Sequence, residues 1–309
     1  MKAVNLLLLQ AVACLPLISC SVEEMDTRDI APSTDELFYA RLESRSDADT
    51  KVYVDENVKI LWNEDDRITI FNKYTYNQEY RFLGETGDNA GAFKMVPNDD
   101  FVTGNNLDYV YAVYPYLETT KISNSSVMTV TLPAAQSYLE NSFGPGANVM
   151  TSATEDNRLM FKNVGGYLVL KFYGANVSVS SIRLEGNGGE RLSGKATVTQ
   201  AVGETPAVKM ASNAGTAVTL NCDTPVRLGT TPEEAVPFWF VLPPTDFTRG
   251  FTLTVTGADG GEFVKTTEKT KSIVRNRVLR ISPVEVVLNS DIGERIEGGD
   301  EPDLPIPGE

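Results

Sequence analysis

A cysteine that closes an apolar N-terminal run is the residue of this chain best placed for covalent chemistry. Lys2 precedes an apolar stretch over residues 4–18, which ends in Leu17-Ile18-Ser19-Cys20. The stretch is too short for a transmembrane helix and has the layout of a secretory signal. A small residue directly before a cysteine, preceded by Leu and Ile, is typical of signals whose cysteine thiol is lipidated and becomes the first mature residue. We predict lipidation at Cys20, so that buried methylenes tether a water-soluble fold to a membrane.

Other interpretations of this segment stay open. Cys20 is also compatible with an ordinary cleavage site, and Ala11-Val12-Ala13-Cys14 is a weaker rival motif. The following Ser21-Val22-Glu23-Glu24 resembles the acidic tag that sends lipoproteins of the Bacteroides lineage to the outer face of the outer membrane. A surface-exposed, outer-membrane location is therefore predicted, with a solvated acidic linker as the alternative.

Two arginines, Arg41 and Arg45, are candidate sites of proteolytic processing. Both follow the start of the first apolar run after the tether, Leu37-Phe38-Tyr39-Ala40-Arg41-Leu42. Arg45 lies in a polar stretch without a core pattern, where a protease could reach it. An arginine in such a stretch most often has no special role. Because Arg41 and Arg45 lie between the lipid anchor and the folded body, proteolytic processing is the second interpretation.

Tyrosines beside amide side chains suggest a different kind of site. Tyr74 and Tyr76 lie among Asn72, Asn77 and Gln78. Aromatic rings can stack on the apolar faces of sugars while amides bind the hydroxyls, so both tyrosines are candidate glycan contacts. The favoured alternative is that they are ordinary strand residues with one edge in water.

Composition narrows the classes of function. The 309 residues carry a net charge of −15 and no histidine. The acidic surface disfavours nucleic acid and anionic headgroups as partners. The lack of histidine removes Ser-His-Asp and Cys-His nucleophiles and imidazole metal ligands. A hydrolase with two carboxylates remains formally open, but the spacing of the acids singles out no pair. We predict a protein that is not an enzyme, with no cofactor and no metal site.

Short alternating or apolar runs with turn residues between them dominate the chain and predict an all-β fold. Examples are Lys59-Ile60-Leu61-Trp62, Val127-Met128-Thr129-Val130-Thr131-Leu132 and Phe251-Thr252-Leu253-Thr254-Val255. Short strands separated by turn residues favour two antiparallel Greek-key sandwich domains in tandem. The predicted segments are a signal peptide (1–19), an acidic tether (20–36), an N-terminal sandwich (37–158), a C-terminal sandwich (159–288) and an acidic, Pro- and Gly-containing tail (289–309), which we expect to be disordered.

Several segments together resemble the fimbrillin family, the pilins and pilin-like lipoproteins of type V pili in the Bacteroides lineage. The resemblance covers roughly residues 36–290 and rests on the order and spacing of the set, since no single motif is diagnostic. Its segments are Val58-Lys59-Ile60-Leu61-Trp62-Asn63-Glu64-Asp65-Asp66-Arg67-Ile68, Val113-Tyr114-Pro115-Tyr116, Leu132-Pro133-Ala134-Ala135-Gln136, Phe161-Lys162-Asn163-Val164-Gly165-Gly166-Tyr167-Leu168 and Leu192-Ser193-Gly194.

The resemblance implies transthyretin-like sandwich domains, a lipoprotein precursor and a role in pilus assembly and cell adhesion. In polymerising members an arginine-specific protease cuts after the first strand, and a C-terminal strand of the next subunit fills the groove that this exposes. Here Leu37-Phe38-Tyr39-Ala40-Arg41-Leu42 would be the strand released, Arg45 the first-choice and Arg41 the second-choice scissile residue. Other pilus subunits would be the partners, and the protein could pass from the outer membrane into a fimbrium.

The tail departs from this pattern because its apolar residues are scattered among seven acids, three prolines and four glycines. Either residues 273–288 form the donor strand, or the protein is a tip, accessory or stand-alone surface protein. A stand-alone glycan-binding lipoprotein is the alternative function.

Overall fold

The chain folds into β-strands joined by turns. In the computed structural model the described residues are 36–43, 60–98, 107–123 and 126–289, and these residues belong to one compact unit. Cys20 and Arg45 lie outside the described residues, as does nearly all of the acidic tail. No helix in the described part of the chain is long and apolar enough to cross a membrane.

The described residues contain strands and a single short 3-10 turn, Pro232–Glu234, with no α-helix, which confirms the all-β prediction. The strands are β1 (Leu37–Leu42), β2 (Arg67–Phe71), β3 (Gln78–Phe82), β4 (Ala90–Met95), β5 (Val110–Tyr114), β6 (Lys121–Ile122), β7 (Val127–Leu132), β8 (Ala135–Leu139), β9 (Ser142–Phe143), β10 (Met150–Thr154), β11 (Arg158–Asn163), β12 (Gly166–Tyr173), β13 (Ser178–Gly186), β14 (Gly194–Thr199), β15 (Ala207–Met210), β16 (Ala217–Arg227), β17 (Val236–Leu242), β18 (Thr245–Phe247), β19 (Phe251–Gly257), β20 (Glu262–Thr267), β21 (Lys271–Ile273), β22 (Val278–Arg280) and β23 (Val284–Glu285).

The N-terminal half is built around a closed barrel. Its strands follow the order β1-β11-β10-β5-β2-β3-β4, and β4 returns to β1. Aromatic and aliphatic side chains fill the interior, with Trp62 at the centre. Four aromatic rings, those of Phe82, Phe93, Tyr114 and Phe161, surround Trp62 with centroid distances of 5.1–5.9 Å. The barrel interior is therefore a packed core.

This barrel differs from the predicted N-terminal sandwich. A sandwich and a barrel share the same alternation of buried and exposed residues, and only the identity of the strand partners separates them. Here β1 lies parallel to β11, more than a hundred residues away in sequence, and antiparallel to β4. Because β1 pairs on both sides, the sheet closes on itself. Local sequence patterns do not predict this closure.

The C-terminal half contains two sheets whose side chains share one core. One sheet has the order β17-β12-β22, with β23 also paired to β12, and the other has the order β20-β19-β13-β16-β8-β9. Alternate residues of both sheets form the largest buried cluster, which includes Phe172, Ile182, Phe240 and Val255. Cys222 is a free, buried cysteine of this core, and burial raises the pKa of its thiol to about 11.

Strand pairing crosses the predicted domain boundary. β7 pairs with β14, and β8 pairs parallel with β16. A third cluster packs the β7/β14 sheet against residues of the barrel strands such as Phe71, Val113 and Ala153. The predicted division near residue 158 stays a prediction, and β11, which begins at Arg158, takes part in closing the barrel.

Candidate functional site

The first strand is the element whose position distinguishes this fold. β1 inserts between β4 and β11 and joins two strands that would otherwise be edges of the barrel sheet. Its residues alternate, as a strand requires. Phe38 and Ala40 are 1% and 2% exposed, whereas Tyr39 between them is 52% exposed. The strand therefore presents one apolar face to the barrel core and one face to solvent.

The inward face of β1 is part of the barrel core. The rings of Phe38 and Tyr80 pack edge to face with centroids 5.1 Å apart, and Leu42 packs against the same cluster. The Tyr80 hydroxyl is buried and has no hydrogen-bond partner among the described residues. Its burial, together with the nearby carboxylate of Glu36, raises the pKa of Tyr80. Removal of β1 would uncover Tyr80 and its aromatic neighbours as an apolar slot.

Both edges of β1 are hydrogen-bonded. On the β11 side the Tyr39 N–H donates to the carbonyl oxygen of Asn157 at 2.8 Å, and the Asn157 side-chain amide donates to the Leu37 carbonyl at 3.0 Å. On the β4 side the Leu42 N–H donates to the carbonyl of Asn89 at 3.3 Å. Without β1 the groups of Asn157 and Asn89, which directly precede β11 and β4, would lack these partners, which is costly wherever water cannot replace them.

A half-buried ion pair fixes the C-terminal end of β1. The Glu43 Oε1 atom accepts hydrogen bonds from Arg275 Nη1 at 2.6 Å and from the Asn163 backbone N–H at 2.5 Å. The Glu43 N–H itself donates to the Phe161 carbonyl at 2.8 Å. Arg275 lies in the turn between β21 and β22, 232 residues from Glu43. The end of the first strand is thus tied to the C-terminal part of the chain.

Buried asparagines extend this contact into the protein. The Asn163 side-chain amide donates to Asn276 Oδ1 at 2.7 Å, and the Asn148 amide donates to Asn163 Oδ1 at 2.7 Å. Asn163 is fully buried and Asn148 is 2% exposed. Asn276 has a positive φ of 57°, a conformation that asparagine tolerates better than most residues. These bonds hold Arg275 and Asn163 in place beneath Glu43.

Of the two candidate processing sites, Arg41 lies among the described residues and Arg45 does not. Arg41 lies inside β1 with its side chain exposed, and its backbone pairs with Ala90 on one side and Met160 on the other. A protease needs an unpaired, extended segment of backbone, so cleavage at Arg41 would require β1 to leave the barrel first. Arg45 lies outside the described residues, two positions after Glu43.

The two candidate glycan contacts lie in the turn between β2 and β3. Asn72 Oδ1 accepts the N–H groups of Tyr74 and Thr75 at 2.8 and 2.7 Å, which shapes the turn. The Tyr76 ring packs edge to face on Phe71 with centroids 5.2 Å apart, and the Lys73 ammonium lies 5.4 Å from the centroid of the Tyr74 ring. Both tyrosines are half-buried, so each offers only part of its ring to a ligand.

The acidic turn before β2 has a structural role. Asp66 accepts the Asn63 N–H at 2.7 Å and the Tyr114 hydroxyl at 3.0 Å. Burial raises the pKa of Asp66, although these two bonds oppose the shift. Asp65 forms an exposed ion pair with Arg81. No group of three or more possible metal ligands occurs among the described residues.

Glu43 and Arg275 are the site residues that sequence reasoning missed. Glu43 begins a polar stretch, and a single arginine far along the chain gives no sign of being its partner. The only sequence signal is the position of an acid directly after the last apolar residue of β1.

Comparison with known proteins gives structural neighbours at low sequence identity. No protein-family model and no curated protein sequence matches the chain. A provisionally assigned cell adhesion protein of Bacteroides ovatus is 15% identical with a TM-score of 0.48, covering 81% of this chain and 91% of its own. A fimbrial protein of the same species is 14% identical with a TM-score of 0.27, covering 73% and 45%. The tip fimbrial protein Mfa3 of Porphyromonas gingivalis, truncated at its C-terminus, is 9% identical with a TM-score of 0.25, covering 83% and 97%.

Because the identities are low and each TM-score is below 0.5, the function proposed next takes its support from the strand pairing of this chain.

Proposed function

We propose that this chain is a fimbrillin-like, cell-surface lipoprotein that works without catalysis in pilus assembly and cell adhesion. In this proposal β1 is a temporary strand. Cleavage after Arg45 frees it together with the lipid on Cys20, and a strand from another pilus subunit takes its place. The neighbours described as fimbrial and cell adhesion proteins agree with a role of this kind at the cell surface.

One observation supports the proposal most strongly: a six-residue strand next to the predicted tether completes the barrel by pairing with both β4 and β11. Loss of such a strand leaves two sheet edges and an apolar slot, which an added strand can satisfy by main-chain hydrogen bonds and side-chain pockets. The few residues of β1 and its position make it the element that a single cut after Arg45 would detach.

The pairing of the C-terminal strands indicates where the replacing strand comes from. Residues 273–288 were one possible donor, but β22 and β23 pair with β12 and Ile273 and Val286 are 3% and 1% exposed. Their departure would open the C-terminal core. We therefore propose that the chain accepts a strand from another subunit, as a tip or accessory subunit does.

Proteolysis tests the proposed function. An arginine-specific protease under mild conditions is expected to cut first after Arg45 and to give a product that exchanges its β1 fragment for a labelled peptide with the sequence of residues 36–45, measured by N-terminal sequencing and fluorescence anisotropy. Arg45→Ala is expected to abolish both results, whereas the matched variant Arg41→Ala keeps them because the Arg41 backbone is paired on both sides. A cleaved product that never takes up the labelled peptide would argue against strand exchange.

Lipidation has its own test. Cys20→Ala is expected to leave the precursor without lipid and to move it from the outer-membrane fraction to the soluble fraction, because the acyl chains supply the affinity for the membrane. Mass spectrometry of the mature N-terminus and membrane fractionation measure the two effects. Cys14→Ala serves as the control and leaves the membrane fraction unchanged. Normal membrane partition of the Cys20→Ala protein would refute the anchor.

A further inference from the structure

The ion pair at the end of β1 restricts which strand can replace it. The side chains of Glu43 and Arg275 are only 13% and 22% exposed, so water screens their charges less than at an open surface. Arg275 Nη1 also donates to the Asn163 carbonyl at 3.1 Å. When β1 leaves, Arg275 retains this neutral acceptor but loses its carboxylate. A half-buried guanidinium without a counter-charge destabilises the empty groove.

The shape of the groove adds a second restriction. Ala40 faces inward between Gly91 of β4 and Leu159 of β11 and is 2% exposed. A Cβ atom at Gly91 would lie 2.5 Å from the Phe82 ring, so this part of the wall is already in close contact. The position of Ala40 has room for a small side chain, whereas the Phe38 position accepts a large ring against Tyr80.

We propose that the groove selects a strand of another subunit that carries a carboxylate at the position that Glu43 occupies now, and that Arg275 binds this carboxylate. The full pattern is a large apolar residue, a small residue and an aliphatic residue at alternate positions, followed directly by Asp or Glu. The inference rests on the proposed exchange of β1 and names the partner of that site by its chemistry. The apolar positions supply affinity, and the acid fixes the register, because a strand shifted by one residue loses the ion pair and turns its apolar face outward.

Peptide competition on the cleaved protein tests this selection. The full chain is cut after Arg45, and a fluorescent peptide with the sequence of residues 36–45 is exchanged into the groove while fluorescence anisotropy is measured. Unlabelled peptides with Glu43 or with Glu43→Gln then compete for the groove. Glutamine still accepts the Asn163 N–H, so the comparison isolates the charge. We expect the Gln peptide to bind about tenfold more weakly, and an Arg41→Gln peptide, altered at an exposed position, to bind within about twofold of the unaltered peptide.

Variants of the protein assign the effect to Arg275. In Arg275→Gln protein the Glu and Gln peptides are expected to bind equally, whereas Arg277→Gln, which removes an exposed arginine two residues further on, keeps the preference for Glu. Equal binding of both peptides to the unaltered cleaved protein would overturn the selection by Arg275 and leave strand exchange intact. Failure of every peptide to enter the groove would overturn strand exchange and, with it, this inference.

Discussion

Phe38→Ala is expected to lower the free energy of unfolding by about 3–5 kcal/mol, the usual cost of deleting a buried aromatic side chain. The Phe38 side chain is 1% exposed and packs on the Tyr80 ring in the barrel core. The substitution removes this contact and leaves a cavity at the point where β1 closes the barrel. Urea denaturation followed by tryptophan fluorescence measures the change, because Trp62 lies in the same core.

Tyr39→Ala is the matched control for this prediction. It removes an aromatic ring from the next residue of the same strand, but the Tyr39 side chain is 52% exposed. We expect a change within about 0.5 kcal/mol, as for most surface substitutions. Equal losses in the two variants would contradict the orientation of β1. A third variant, Phe38→Leu, keeps most of the buried volume and is expected to lose less than Phe38→Ala.

A disulfide across β1 and β4 is expected to abolish strand exchange after cleavage. Tyr39 and Ala92 are register partners, and the hydrogen bond from Leu42 to Asn89 places them in the alternate, non-hydrogen-bonded set. Such antiparallel pairs have Cα atoms about 4.5 Å apart, which suits a disulfide. In a Cys20→Ser background, the Tyr39→Cys, Ala92→Cys double variant holds β1 in the groove even after a cut at Arg45.

Reduction provides the internal control for the locked variant. With dithiothreitol the same cleaved protein is expected to release β1 and to take up the labelled peptide of residues 36–45 as the unlocked protein does, measured by fluorescence anisotropy. Each single cysteine variant should take up the peptide with or without reductant. Uptake of the peptide by the oxidised, cleaved double variant to the normal extent would show that the peptide does not bind in the β1 groove.

Local sequence patterns predicted individual strands well. β1 was predicted over the same six residues that the structure assigns, because they form a short apolar run; in the structure Phe38 and Ala40 alternate with Tyr39 and Arg41. The run Val127–Leu132 likewise became β7 with buried Met128 and Val130. By contrast, residues 60–62 form no strand. The apolar character of Trp62 reflects burial at the centre of the barrel, which an irregular segment achieves equally well.

The longest strand of the described residues was not predicted from the sequence. β16 spans Ala217–Arg227, and its buried residues Val218, Leu220 and Cys222 do alternate. Its second half contains the exposed residues Asp223 and Thr224 and a proline, which are turn signals in isolation. Pairing with β13 and β8 stabilises the strand regardless of these signals, so tertiary contacts override the local preference.

The site itself was only partly predictable. A short apolar run identified β1 as a strand, but the barrel depends on pairing between β1 and β11 across most of the N-terminal half. The contact between Glu43 and Arg275 spans 232 residues. Neither residue is unusual in its own segment, and long-range pairs of this kind follow from the assembled fold alone. Lipidation at Cys20 and cleavage at Arg45 remain predictions.

Native mass spectrometry of the protein cleaved after Arg45 tests the central claim most directly. With an excess of a peptide that has the sequence of residues 36–45, strand exchange predicts a species in which the chain that begins at Ser46 holds one such peptide, with the fragment that carries its own β1 released. The opposite result would be a cleaved protein that retains both of its fragments at every peptide concentration, or one that holds the added peptide together with its own β1. Either result would contradict the view that the first strand is a temporary part of this barrel.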